Sequence, residues 1–141
     1  MNLFRIAGAS TIGTSHIGHG KPCQDKFFSK TINHVAAISL ADGAGSCSKS
    51  DIGAEICTRY IVDFLCNNFD KTYLKSELEI SEEILKGVNK SLQNMSDELN
   101  VPLMDFSSTL LFVAVKGNKF LAGHIGDGLI GSFDDSGSQI F

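Results

Sequence analysis

Three aspartates in this chain of 141 residues occupy similar settings. Asp25 closes "GKPCQD", Asp42 lies in "SLADGAGS" and Asp127 in "GHIGDGLIG", each in or beside a glycine-bearing turn next to a strand-like run. Carboxylates at strand ends can converge at one edge of a sheet, where they repel one another unless a cation joins them. Hard divalent cations take oxygen ligands from carboxylates, carbonyls and water. A glycine after the aspartate lets a backbone carbonyl approach the same ion. Such a centre could polarise a phosphoryl oxygen and acidify a bound water. Two other readings stand beside this one. Asp-Gly is a common turn dipeptide that needs no chemistry. "GAGS", 43–46, leading toward a helix could hold phosphate on backbone amides, although it matches neither GxGxxG nor GxxxxGK[ST].

Nucleophile signatures are weaker. Ser10, Ser15, Ser46 and Ser107 have no GxSxG elbow around them. Among the histidines, His16 and His19 lie nearest Asp25 in sequence and are the better acid–base candidates, ahead of His34 and His124.

The elements that must carry these residues follow from periodicity. "LFRIAGAS" reads as a first strand. "KFFSKTI", 26–32, and "HVAAISLAD", 34–42, read as a hairpin joined through Asn33 and His34. From Asp51 the period changes: Ile52, Ile56, Tyr60 and Phe64 recur every fourth residue, with Cys57, Ile61 and Leu65 alongside. That predicts an amphipathic helix of about 18 residues capped by Ser50 or Asp51. A second helix is expected from Ser81, with Ile84, Leu85, Val88, Leu92, Met95 and Leu99 on its apolar face. "STLLFVAVK", 108–116, then a Gly-Asn hairpin, a strand from 119, a Gly-Asp-Gly turn and a further strand to 133 complete the chain. The order β-β-β-α-α-β-β-β indicates an α+β protein with a mostly antiparallel sheet. "DDSGSQIF" reads as a turn entering another strand, so the domain is expected to be incomplete at its C-terminus.

Composition narrows the function. A net charge of −4, with scattered Lys and Arg, argues against a nucleic-acid binder or an anionic-lipid surface. No apolar run reaches the roughly 18–20 residues a bilayer requires, and "MNLFRIAGAS" lacks the form of a signal peptide. Cys23, Cys47, Cys57 and Cys66 include no CxxC pair, which fits reduced thiols in a cytoplasmic protein.

"GASTIGTSHIGHGKPCQD", "ADGAGSCSKSDIGAE", a helix, "SSTLLFVAV" and "GHIGDGLIG" come in an order that resembles the metal-dependent serine/threonine phosphatases of the PP2C (PPM) family. The likeness is greatest to a bacterial branch carrying Pro-Cys-Gln-Asp, and it covers nearly the whole chain as the N-terminal portion of one domain, 1–141. The resemblance implies a sandwich of two antiparallel sheets flanked by helices, with two Mn²⁺ or Mg²⁺ ions at one end and a third, weaker site. It also implies hydrolysis of phosphoserine and phosphothreonine in protein substrates by a metal-activated water, opposite a cognate kinase. By position it makes Asp42 the bridging metal ligand, Gly43 a carbonyl ligand and Asp25 the acidic residue beside the metal waters. Asp127 would belong to the third site. Gln24 stands where many relatives have a metal-binding glutamate, and Ser108 and Thr109 match a strand that packs beneath the centre. The phosphate-binding arginine has no counterpart before Asp25, which leaves Lys21, His16 or His19 as substitutes. Ala44 stands where some relatives place a histidine proton donor. Two further metal-binding aspartates of the family lie beyond the span of this sequence, so a catalytically weak module that binds a protein partner is the second expectation.

Overall fold

A computed structural model describes residues 4–13, 17–18, 20, 22–134 and 136–137. Strands β1 (Asp25–Ile32) and β2 (Val35–Asp42) precede helices α1 (Ser50–Tyr73) and α2 (Glu77–Leu99). A 3₁₀ turn at Leu103–Phe106 leads to β3 (Leu110–Lys116) and β4 (Lys119–Ile125). The strands form one antiparallel sheet in the order β1-β2-β3-β4. The architecture is α+β, as expected, and among the described residues it has one sheet with helices on one face.

The β1–β2 hairpin turns through Asn33 and His34, which both take positive φ (54° and 63°). This is the backbone of a two-residue hairpin whose twist matches its strands. Period-two alternation then sorts β2: Val35, Ala37, Ser39 and Ala41 are buried toward the helices, while Leu40 and Asp42 on the opposite face are exposed.

Helix α1 lies across the sheet and buries Ala54, Cys57, Ile61, Val62, Leu65 and Phe69. Ile61, Leu65 and Phe69 are almost fully enclosed with Leu110, Phe112 and Ala114. Each large apolar side chain buried in this way stabilises the fold by roughly 1.5–3 kcal/mol. Tyr60 and Phe64, on the expected stripe, are partly buried and pack against the same cluster, to which α2 adds Ile84 and Val88. Leu85 and Leu99, expected on the α2 face, are instead 44% and 41% exposed.

Four expectations are corrected. Phe4–Ala7 form no strand; they lie over the second face of the sheet and share a 210 Å³ cavity with Ala36, Ile38, Val113 and Val115. Residues 126–132 make a bend and irregular chain rather than a strand, because closely spaced glycines at 126 and 128 take φ of 86° and 130°. Helix α1 is capped by the backbone of Lys49, with no side-chain cap, because the Ser50 hydroxyl is engaged with Gln24 instead. Helix α2 begins earlier than expected, with Ser76 as N-cap: its hydroxyl accepts from the Glu79 N–H while the Glu79 carboxylate accepts from the Ser76 N–H. This Ser-x-x-Glu capping box is present in the sequence as "SELE". The Asp134 side chain accepts from the Ser136 N–H, forming the expected turn; the strand expected after it falls outside the described residues.

Ser76→Ala is expected to destabilise the chain by about 1 kcal/mol, seen as a lower urea midpoint at unchanged slope. The backbone and hydroxyl of Ser76 hold the Glu79 carboxyl below its ordinary value of 4.5. A lowered folded-state value stabilises above the unfolded value and loses that effect as pH falls. Fraying of the first turn of α2 below about pH 4.5, followed by amide exchange, should therefore be greater in wild type than the further change seen in Glu79→Gln.

Candidate functional site

The end of the β1–β2 ladder brings two of the sequence-predicted aspartates together. Asp25 and Asp42 are Cα partners, so both carboxylates lie on the face away from the helices. Both residues are exposed. Like charges directly opposite one another across a strand pair are destabilising, and a pair kept in that position has the electrostatics of a cation site.

Asp127 joins them from the loop after β4. Asp42, Thr109 and Asp127 line two adjoining clefts. One, of about 430 Å³, runs along Gly43–Gly45 and Ser107–Thr109. The other, of about 460 Å³, includes Asp25, Ser10 and Thr11. The residues lining these clefts offer oxygen ligands and no imidazole or thiol, which suits a hard divalent cation better than a soft one. Among the described residues, no three His, Cys, Asp or Glu side chains stand close enough to form a complete ligand set.

The turn carrying Asp42 is held on two sides. The Asp42 N–H donates to Thr109 Oγ1 at 2.9 Å, and the Thr109 N–H donates back to the Asp42 carbonyl at 2.8 Å. Gly43 bridges Ser108, and the Ala44 N–H donates to the Ser107 carbonyl at 2.9 Å. On the other side Gly43 meets the first turn of α1, where a Cβ would lie 2.7 Å from the Ser50 carbonyl oxygen. Only glycine fits there, because the obstacle is backbone. Gly53, a turn further along α1, is confined in the same way: a Cβ would lie 1.9 Å from the Phe106 carbonyl oxygen. The two contacts draw α1, the 3₁₀ turn and the "SST" segment together beneath the cleft.

Gln24 is 8% exposed, and its amide Nε2 donates to Ser50 Oγ at 2.6 Å. It lines neither cleft. Lys21, His16 and His19, the expected phosphate-binding residues, lie outside the described residues. His124 lines neither cleft, and its Nδ1 lies 3.0 Å from the Gly126 carbonyl oxygen.

The profile of the protein phosphatase 2C family matches residues 12–140. The chain belongs to that family. It is also similar to serine/threonine-protein phosphatase 3 of Escherichia coli (strain K12), with 25% identity over 130 residues. That match covers 89% of this chain and 51% of the relative, so the chain spans about half the relative's length. No solved structure matches the chain.

For this phosphatase 2C chain, the sequence underrated Thr109 and Ser50. Thr109 belonged to a strand motif and Ser50 resembled a helix cap, and their partners are 67 and 26 residues away in sequence. The cysteines take no part in the clefts. All four thiols are free, and burial pushes the Cys57 thiol up, against a smaller opposing pull from the Ser108 hydroxyl that donates to it.

Thr109→Val keeps the shape of the side chain but removes the acceptor of the Asp42 N–H. It should cost about 1 kcal/mol in urea unfolding and speed amide exchange at Asp42, while Thr109→Ser should restore the slow exchange. Wild-type exchange at Asp42 in the valine variant would show that the hydroxyl is not what fixes this turn.

Proposed function

We propose that the chain forms the Asp42-bearing portion of a metal-dependent phosphatase that hydrolyses phosphoserine and phosphothreonine in proteins. The observation that carries this reading is the cross-strand pair Asp25 and Asp42, placed on one face with Asp127 lining the same cleft. Membership of the phosphatase 2C family and the likeness to a serine/threonine-protein phosphatase support the substrate class.

Asp42 and Asp25 would hold a divalent cation, Mn²⁺ or Mg²⁺, with the Gly43 carbonyl beside them and Asp127 completing a weaker outer position. Bound there, the cation supplies Lewis acidity toward a phosphoryl oxygen and toward water. The protein's own contribution is placement. Strand ends fix the two carboxylates, and Thr109 fixes the backbone of Asp42. Asp25, exposed at the rim, can accept a proton from water as it attacks phosphorus in line with the serine or threonine leaving oxygen. Ala44 offers no proton donor at the turn, so the leaving alkoxide takes its proton from solvent. Substrate phosphate carries up to two negative charges and would not approach two carboxylates with no cation between them, so binding of phosphoprotein follows binding of the cation.

A second reading, a partner-binding relative with little turnover, is favoured by the lack of a complete ligand set among the described residues. One assay separates the two readings. Phosphate release from a phosphothreonine peptide is measured with Mn²⁺, with Mg²⁺ and with excess chelator. The phosphatase reading expects cation-dependent turnover that drops in Asp42→Asn by at least the roughly 100-fold that loss of a metal-supporting partner can exact. Turnover that survives chelator, or an Asp42→Asn variant as fast as wild type, would overturn the mechanism. A folded but silent chain would favour the partner-binding reading.

A further inference from the structure

We propose that Gln24 is a positioning residue rather than a cation ligand, and that its buried bond to Ser50 is the latch that sets the spacing of the Asp25 and Asp42 carboxylates. This inference rests on the reading of the cleft as a cation site. Three contacts close a triangle. Gln24 Nε2 donates to Ser50 Oγ at 2.6 Å, the Gly43 N–H donates to the Gln24 carbonyl at 3.1 Å, and Gly43 packs against Ser50 with no room for a Cβ. Asp25 follows Gln24 directly, and Asp42 directly precedes Gly43. Each carboxylate-bearing residue is thus one peptide bond from the triangle.

The chemistry of the latch explains why an amide is needed. The Ser50 hydroxyl donates to the Cys47 carbonyl at 3.3 Å, so its remaining role toward Gln24 is that of acceptor. Glutamate at position 24 could not supply the N–H, and its charge would be enclosed beside a residue that is fully buried. Asp25 is also the first residue of β1 and Asp42 the last of β2, where ladders open most readily. The latch continues the pairing one step past the point where the ladder would fray.

The test uses the whole chain with Ser50→Ala, Gln24→Met, the double variant and Gln24→Glu. Mn²⁺ binding is read by paramagnetic resonance titration, and stability by urea unfolding without metal. Ser50→Ala removes no proposed ligand, yet it should weaken Mn²⁺ binding about three- to tenfold, the range of one net hydrogen bond. Gln24→Met should do the same, and the double variant should be no worse than either single one, in binding and in urea alike. Gln24→Glu should also bind Mn²⁺ more weakly. Tighter binding in Gln24→Glu, wild-type affinity in Ser50→Ala, or additive losses in urea would each overturn the latch. A wild-type chain that binds no Mn²⁺ would overturn the cation reading instead, and the metal-free urea cycle would still decide the latch.

Discussion

The close approach of Gly43 to the first turn of α1 is the constraint from which the rest of this end of the molecule follows. A side chain at position 43 would have to pass through the Ser50 carbonyl, so β2 can end against the helix only with glycine there. Because it does, the turn lies flat between α1 on one side and the Ser107–Thr109 segment on the other. Its amides find partners at once, Gly43 on Gln24 and Ala44 on Ser107. Backbone groups at a strand end usually rely on water; here they are used up in fixing the residues beside Asp42. The glycine-rich turn beside Asp42 is thus clamped from both sides.

The two faces of the sheet divide the work. The helix side is dry, with Ile61, Leu65, Phe69, Leu110 and Phe112 excluding water, and its one enclosed hydroxyl on β2, Ser39, donates to the Thr58 carbonyl at 2.9 Å. Ionised carboxylates there would face a desolvation cost that the apolar neighbours do nothing to offset. Asp25 and Asp42 fall on the other face by strict alternation, where water and ions can reach them. A slip of β1 by one residue against β2 would turn Asp25 toward the core and part it from Asp42. The hairpin at Asn33–His34 guards against that shift, since its two positive-φ residues permit one loop length and therefore one pairing.

How much of this was legible in the sequence depended on how local each signal was. The Asn-His hairpin, the strand at 110–116 and the long helix after Asp51 carry their own periodicity or turn chemistry. The approach of Asp25, Asp42 and Asp127 to one end of the sheet was one of the readings their strand-end settings left open, beside a bare Asp-Gly turn and a phosphate-binding loop. Gln24 was read through the resemblance as a ligand position, while its burial depends on Ser50, which no local pattern links to it. Ser50 in turn resembled a helix cap, a role its hydroxyl cannot fill while it is engaged with Gln24 and Cys47. At Ser76 the signal was local and was outcompeted by "SEEI", a later serine with acidic followers about a turn and a half away. "LFRIAGAS" has apolar residues suited to a strand, yet its small residues lie over the sheet face and find no ladder there.

The three carboxylates differ in how firmly they are held, and that difference orders their roles. Asp25 and Asp42 stand on paired strands, with the Asp42 backbone bound on both sides by Thr109. Asp127 stands on a loop between two glycines of positive φ, where Gly126 closely approaches the Thr109 methyl and Gly128 the Leu111 side chain. On the proposed reading, a cation held by the first pair would meet ligands already in place, and little ordering entropy would be lost on binding. On the same reading, a cation drawing in Asp127 would have to fix a glycine-flanked loop as well, which would lower its affinity. Thr109 touches both arrangements, through its hydroxyl to Asp42 and its methyl to Gly126. One side chain therefore contacts both the strand-end pair and the loop that carries Asp127.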